Sequence, residues 1–413
     1  MRKVAVLIAF AAALWLAPGA FAAGWCGGGE TAAERPDIVT GQQVHAVVAV
    51  PSDAGDPFLA DAGRLADDVT SMLAWWQGQD STRIPRFDQA SFGTAGCLDI
   101  SFVRLSGTGA SYAAEGASGA FASMAGELSR SASIYKNYLV YYDGPSVEAN
   151  VCGVGGTRAF GTGPSFAIVL LQGCPGVAID LVATHELLHA LGAVPPGDPH
   201  TCPGDTGHVC DSDTDILYPT TSGEPLSSKL LDVNHDDYYG HSGAWPDIQD
   251  SPWLHRLDLP EEALGITLNG AGGVRSDLPG VDCTATCTTR WDQGYAVTLT
   301  AQPGKATRFV RWSGACKGNV PCVVKLDAPT SVTALFGPVR IPLRVSVAGK
   351  GAVRCVPACA KTFPGGNALA LRAVAAKGWR FVSWSGGCKG RQLICRPATD
   401  FALTVRATFR RKL

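Results

Sequence analysis

After residue 22 the chain has no run of 18 or more apolar residues, so no transmembrane segment is expected. Cys26 lacks the small preceding residue of a lipobox, because Trp25 stands there, and this argues against a lipid anchor. Each part of the chain also lacks charge of one sign. Residues 1–265 hold 12 Lys and Arg against 31 Asp and Glu, and residues 266–413 hold 22 against only 5. The formal net charge of −2 therefore hides parts of −19 and +17. Such a split points to two units with different surroundings. The basic part suits an anionic cell-envelope polymer; lipid headgroups and nucleic acid are the other anionic partners, nucleic acid the least favoured. A solubility role for the charge alone is the plainer alternative.

What is present defines the rest. A length of 413 residues exceeds the usual single hydrophobic core, so at least two domains are expected. Arg2 and Lys3 precede an apolar run from Val4 to Leu16, and small residues end it at Ala20-Phe21-Ala22. That is the layout of a secretory signal peptide over residues 1–22, and it implies a secreted or cell-surface protein. All 14 cysteines follow it, and an even count in an exported chain predicts up to seven disulfides. Cys26 is expected to pair with a partner such as Cys97; a cysteine that masks a metal is the minor alternative.

From Gln42 to about residue 192 strand-like and helix-like segments alternate as in an α/β domain. "QVHAVVAV" reads as a buried strand, and Leu65, Val69, Met72, Leu73 and Trp76 recur at helical spacing, predicting a helix over 59–77. Residues 97–105, 137–142 and 166–171 read as strands, and 119–132 as a helix. A Gly-rich passage, "CGVGGTRAFGTGPS", lies before the last of these strands. The segment "AIDLVATHELLHALG" predicts a helix ended by Gly192, with Pro195 and Pro196 barring continuation.

On that helix His185 and His189 stand one turn apart on one face, so both imidazoles can reach one metal. Glu186, beside the first of them, is placed as a general base and later an acid. Zinc with protein ligands polarises a carbonyl for hydrolysis while a nearby carboxylate moves the proton. Two ordinary histidines on a helix are the bland alternative. A third protein ligand has to come from beyond this helix. Asp198, His200 and His208 can supply it.

"HELLHALG", together with "GHVCDSDTDILYP" at 207–219, resembles the metzincin-type zinc metalloproteases, and more closely a set of bacterial secreted proteins with an "HELxHxLGAV" helix. The resemblance spans roughly Trp25 to Leu254. It implies an α/β (α+β) zincin-like catalytic domain over 24–260 and a zinc-dependent endopeptidase that takes a protein or peptide substrate. Under it His208 matches the family's "GH" pair and becomes the favoured third ligand, with His200 as the alternative. Leu217 occupies the place of the family's methionine beneath the zinc, and Tyr218, one residue on, is an oxyanion candidate. A loop closed between Cys202 and Cys210 would stiffen the segment that carries His208. A zincin whose third ligand is a distant glutamate, such as Glu224, is disfavoured by Gly192 and the "DILYP" turn.

Asp211, Asp213 and Asp215, and the group Asp232, Asn234, Asp236 and Asp237, offer oxygens for Ca2+, although neither stretch has the glycine and distal glutamate of an EF-hand loop. His235 and His241 are near enough in sequence to orient the site.

The tail repeats itself. Cys283 and Cys355, Trp312 and Trp384, and Cys316 and Cys388 are each 72 residues apart, within "RFVRWSGACKG" and its counterpart "RFVSWSGGCKG" and their flanks. Alternating segments such as "AVTLTA" and "LTVRATF" predict two small all-β units over 266–337 and 343–413, each stapled by two disulfides. The tail resembles the tandem β-rich repeats with an F-x-x-W-S-G-x-C signature related to divergent internalin-type repeats, which implies binding or spacing. A rival reading of the whole chain follows: an exported adhesion or binding protein that keeps a zincin-like fold without activity.

Overall fold

The computed structural model describes residues 24–27, 31–92, 95–156, 161–356, 358–365, 368–399 and 402–412. Residues 1–22, read from the sequence as a signal peptide, lie outside them. The chain divides after Asp258 into two compact units, and strands dominate, with three α-helices among the described residues.

The first unit is layered. Its strands are β1 (Gln43–Val50), β2 (Arg83–Pro85), β3 (Gln89–Phe92), β4 (Ala95–Leu98), β5 (Ile100–Arg104), β6 (Lys136–Tyr142), β7 (Gly153–Gly155), β8 (Phe166–Leu170), β9 (Thr201–Cys202), β10 (Asp205–Val209) and β11 (Leu254–Arg256). Five of them form a sheet in the order β5-β1-β6-β8-β7, parallel except for β7, which runs antiparallel to β8 at the edge. Helices cover both faces, so the central strands β1, β6 and β8 are buried along their whole length; β8 is an unbroken apolar run, while β1 and β6 also bury Gln43, His45, Lys136 and Asn137. Val44, Ala46, Val48 and Val50 face the helices α1 (Phe58–Gln79) and α3 (Ile179–Leu191), while Val47 and Ala49 face α2 (Gly109–Leu128). Each fully buried Leu, Phe or Met of these cores contributes about 1.5–3 kcal/mol.

Two elements differ from the pattern read in the sequence. Residues 97–105 are not one strand: β4 pairs with β3 in a hairpin, and β5 turns into the main sheet after the buried Asp99, which receives Arg35. Helix α2 starts ten residues before 119, where the Thr108 hydroxyl caps it by accepting from the Ser111 amide at 3.1 Å. The segment before Gly119 is poor in large apolar side chains, and Gly116 breaks the helical path with φ 67°, so periodicity alone could not reveal it.

One buried acid gives the unit a pH dependence. Asp61, on α1, is 6% exposed, and burial together with the Asp143 carboxylate raises its pKa from 3.8 to about 6. Its folded pKa being the higher, its contribution to stability is complete below 3.8 and is lost as pH rises through about 6. Asp61→Asn should therefore leave stability at pH 3.5 unchanged and raise it by about 1–2 kcal/mol at pH 7.5, read from denaturant midpoints at both pH values.

The second unit contains two copies of one β arrangement. In the first, the strand Glu261–Asn269 pairs in parallel with Thr330–Pro338, which pairs antiparallel with Thr307–Gly314. In the second, Arg340–Ala348, Leu403–Arg411 and Trp379–Gly386 repeat these relations. The indole nitrogens of the buried Trp312 and Trp384 donate to the Val320 and Gln392 carbonyls, each at 2.9 Å. The opening strands begin at Glu261 and Arg340, ahead of the alternation noticed from 266 and 343.

Seven disulfides tie the chain: Cys26–Cys97, Cys152–Cys174, Cys202–Cys210, Cys283–Cys287, Cys316–Cys322, Cys355–Cys359 and Cys388–Cys395. Such density belongs to an oxidising compartment, and the Cys26 pairing removes the thiol a masking role would need. No helix among the described residues is long and apolar enough to cross a membrane.

Candidate metal centre

Helix α3 carries the first two imidazoles. Asp180 stands in its first turn, where a negative charge favours the N-terminus, and the Thr184 hydroxyl bonds back to the Asp180 carbonyl at 2.6 Å. At the other end Gly192 adopts φ 100°, a left-handed conformation that costs a side-chain-bearing residue about 1 kcal/mol or more. The Gly192 and Ala193 amides then close on the His189 and Leu188 carbonyls. The chain turns sharply away at this cap, through Val194 at φ 53° and the two prolines.

It returns through the hairpin β9–β10, closed by Cys202–Cys210, which brings His208 back over the helix. His185 Nε2 lies 3.2 Å from His208 Nε2 and 3.2 Å from His189 Nε2. The other nitrogens fix the tautomers. His185 Nδ1 donates to the Ile216 carbonyl at 2.6 Å, and His208 Nδ1 to the Asp205 carboxylate at 2.9 Å. With hydrogen on Nδ1, each of these two rings turns an Nε2 lone pair inward. Burial, then His208, lowers the His185 pKa to about 4; burial, then His185 and His208, holds that of His189 well below 6.5. Neutral imidazoles with lone pairs facing at 3.2 Å repel unless a cation lies between them. The three nitrogens are therefore a donor set that could hold a metal ion.

Glu186 points to the edge strand. Burial raises its pKa from 4.5 to about 8, against the opposing effect of the Gly155 amide that donates to it. A Cβ on Gly153 would lie 2.6 Å from Glu186 Cγ, and one on Gly155 would run into His189 Cβ and the Glu186 carbonyl. Only glycine lets β7 approach α3 this closely. "CGVGG" in the sequence was a cue to this approach that the spacing of the histidines could not supply.

Ile216 lines the pocket beside His185 and His208, and Leu217 packs into the core of the unit. The Asp215 carboxylate, fully buried, accepts from the Leu217 amide at 2.7 Å, the Val233 amide at 2.9 Å and the Tyr238 hydroxyl at 2.8 Å, so it holds the turn and is not free for a cation. Leu217 is fully buried. A pocket of about 510 Å³ opens beside the imidazoles, lined by Glu186, Gly153, Leu181, Val182, Tyr218 and Lys229 among others.

The remaining candidates stand elsewhere. His200 is not with the three imidazoles: its Nδ1 meets Asp237 Oδ1 at 2.8 Å. Asp198 accepts the His200 amide at 3.2 Å. Glu224 pairs with Lys229 at 2.8 Å, and that hydrogen bond holds its carboxyl at about 2. Asp232 spends its oxygens on the amides of residues 236–239, while the Asp213 carbonyl accepts from Lys229. His235 Nδ1 donates to the Tyr239 carbonyl at 3.1 Å, and His241 stacks on Trp245 at 4.7 Å. Of the acids read as Ca2+ ligands, Asp211, Asp236 and Asp237 gather with His200.

No curated protein and no solved structure matches the chain. The family model of the divergent InlB B-repeat domain matches twice, over residues 278–340 and 341–412. The C-terminal tandem is thus similar to divergent InlB B-repeats, and everything before residue 278 rests on its own sequence and geometry.

Proposed function

We propose that the protein is an exported zinc-dependent endopeptidase whose first unit has a metzincin-like fold. The observation that carries this is the convergence of the His185, His189 and His208 Nε2 atoms, with the Glu186 carboxyl beside them. When bound, Zn2+ supplies Lewis acidity for amide hydrolysis at neutral pH. The residues of the chain do the rest. His185, His189 and His208 hold the metal, with His185 oriented by the Ile216 carbonyl and His208 by Asp205. Glu186, as the carboxylate beside the metal, takes the proton of the attacking water and passes it to the departing amine. Among the described residues β7 pairs with β8 alone, so its outer edge can receive an extended peptide as a further strand beside Glu186. Tyr218 lines the pocket, which supports giving it the role of meeting the carbonyl oxygen of such a peptide.

The basic repeats are proposed to hold the enzyme on an anionic envelope polymer, since 22 basic residues face only 5 acids over 266–413. The same charge favours the rival, a binding protein that has kept the fold without the chemistry. Incubation of the mature chain with an unstructured protein decides between them. Cleavage at internal peptide bonds, lost on chelation and restored by Zn2+, is expected; intact substrate beside a metal-loaded, folded chain would favour the binding protein.

A further inference from the structure

A second group of ligand-type side chains lies at the base of the His208 hairpin. His200 immediately precedes β9, and Asp211 immediately follows Cys210, whose amide donates to the His200 carbonyl at 3.0 Å. Asp236 and Asp237 come in from the following loop, and the ligand atoms of His200, Asp211, Asp236 and Asp237 all lie within 4.8 Å of one another. Two of these elements are close in sequence to the hairpin's two ends, so whatever binds here joins them.

Clustered acids on a surface are common and need no ion. The buried members of this cluster are different. The Asp237 side chain is fully buried; its Oδ1 meets His200 Nδ1 at 2.8 Å, and its Oδ2, removed from solvent, has no hydrogen-bond partner. Asp198, 6% exposed, turns its carboxyl to that of Asp237, and its Oδ2 is likewise without a partner. Asp236 Oδ1 is a third such oxygen. The ion pairs of Asp236 and Asp237 among the described residues run to His200 alone. Two buried carboxyl groups facing one another, as Asp198 and Asp237 do, cannot both ionise unless a cation lies between them; without one they must share a proton, which a divalent ion would displace.

We propose that His200, Asp211, Asp236 and Asp237, backed by Asp198, form a second divalent-cation site that clamps the base of the hairpin carrying His208. One imidazole among carboxylates selects Zn2+ or Mn2+ over Ca2+. The site stands independently of the three-histidine centre.

The test uses the full mature chain, stripped by chelation and dialysed to equilibrium against Zn2+ or Mn2+, with bound metal counted by mass spectrometry. The parent should bind two equivalents of Zn2+. His189→Ala should retain one, which Asp237→Asn removes in the same background. Asp236→Ala, at the half-exposed rim where folding is not at stake, should weaken that remaining equivalent at least about tenfold. Unchanged stoichiometry and affinity in both the Asp236 and Asp237 variants would overturn the site while leaving the three-histidine reading intact. A single equivalent that ignores His189→Ala and disappears with Asp237→Asn would have the opposite meaning, upholding this site and sinking the other.

Discussion

Glu186→Gln is expected to lower peptide hydrolysis by about a thousandfold to ten-thousandfold while leaving zinc content unchanged. Gln keeps the volume of the side chain, so the close approach of Gly153 and Gly155 survives. It cannot take a proton, so the water loses its base and the leaving amine its acid. The three imidazoles lie on other residues, and His185 and His208 keep their orienting partners, the Ile216 carbonyl and Asp205. Rates on an unstructured substrate, measured beside zinc per chain, check both halves. If the variant cleaves as fast as the parent, Glu186 does not carry the proton.

The second large effect separates two histidines that sequence spacing leaves equivalent. His208→Ala should weaken the first zinc equivalent by more than about 100-fold and abolish hydrolysis, whereas His200→Ala should leave that equivalent in place. The reason is geometric: His208 Nε2 is 3.2 Å from His185 Nε2, while His200 Nδ1 is engaged with Asp237. Asp205→Asn, which alters the acceptor of His208 Nδ1, should cost about 10–100-fold in zinc affinity with the fold intact. Competition against a chromophoric chelator gives all three constants. Equal losses for His208→Ala and His200→Ala would remove the distinction.

The parts of this arrangement differ in how far the sequence discloses them. The helix ending at Gly192 and the one-turn spacing of His185 and His189 are local patterns, readable because 3.6 residues make a turn and glycine alone is at ease at φ 100°. The cystine loop around His208 could be anticipated from Cys202 and Cys210. Its docking over α3 could not, because that depends on where the chain goes after Pro195 and Pro196. His185 is held by a backbone carbonyl, that of Ile216, and a carbonyl leaves no mark in residue type. Asp215 looked like a cation ligand among alternating acids, and only the amides of Leu217 and Val233 and the Tyr238 hydroxyl around it reveal a turn anchor. In the tail, alternation and the 72-residue offset disclosed two copies, yet parallel pairing between the first and last strands of each copy joins residues some sixty positions apart, as Leu264 with Thr330 does, and is set by tertiary register.

One spectrum bears most directly on the central claim. The metal-stripped Asp237→Asn chain, in which the second site is removed, loaded with a single equivalent of Zn2+, should give a zinc-edge absorption pattern of three imidazole nitrogens and one light-atom ligand at about 2.0–2.1 Å. A pattern with one imidazole among oxygens, or no tight binding of that equivalent, would contradict it.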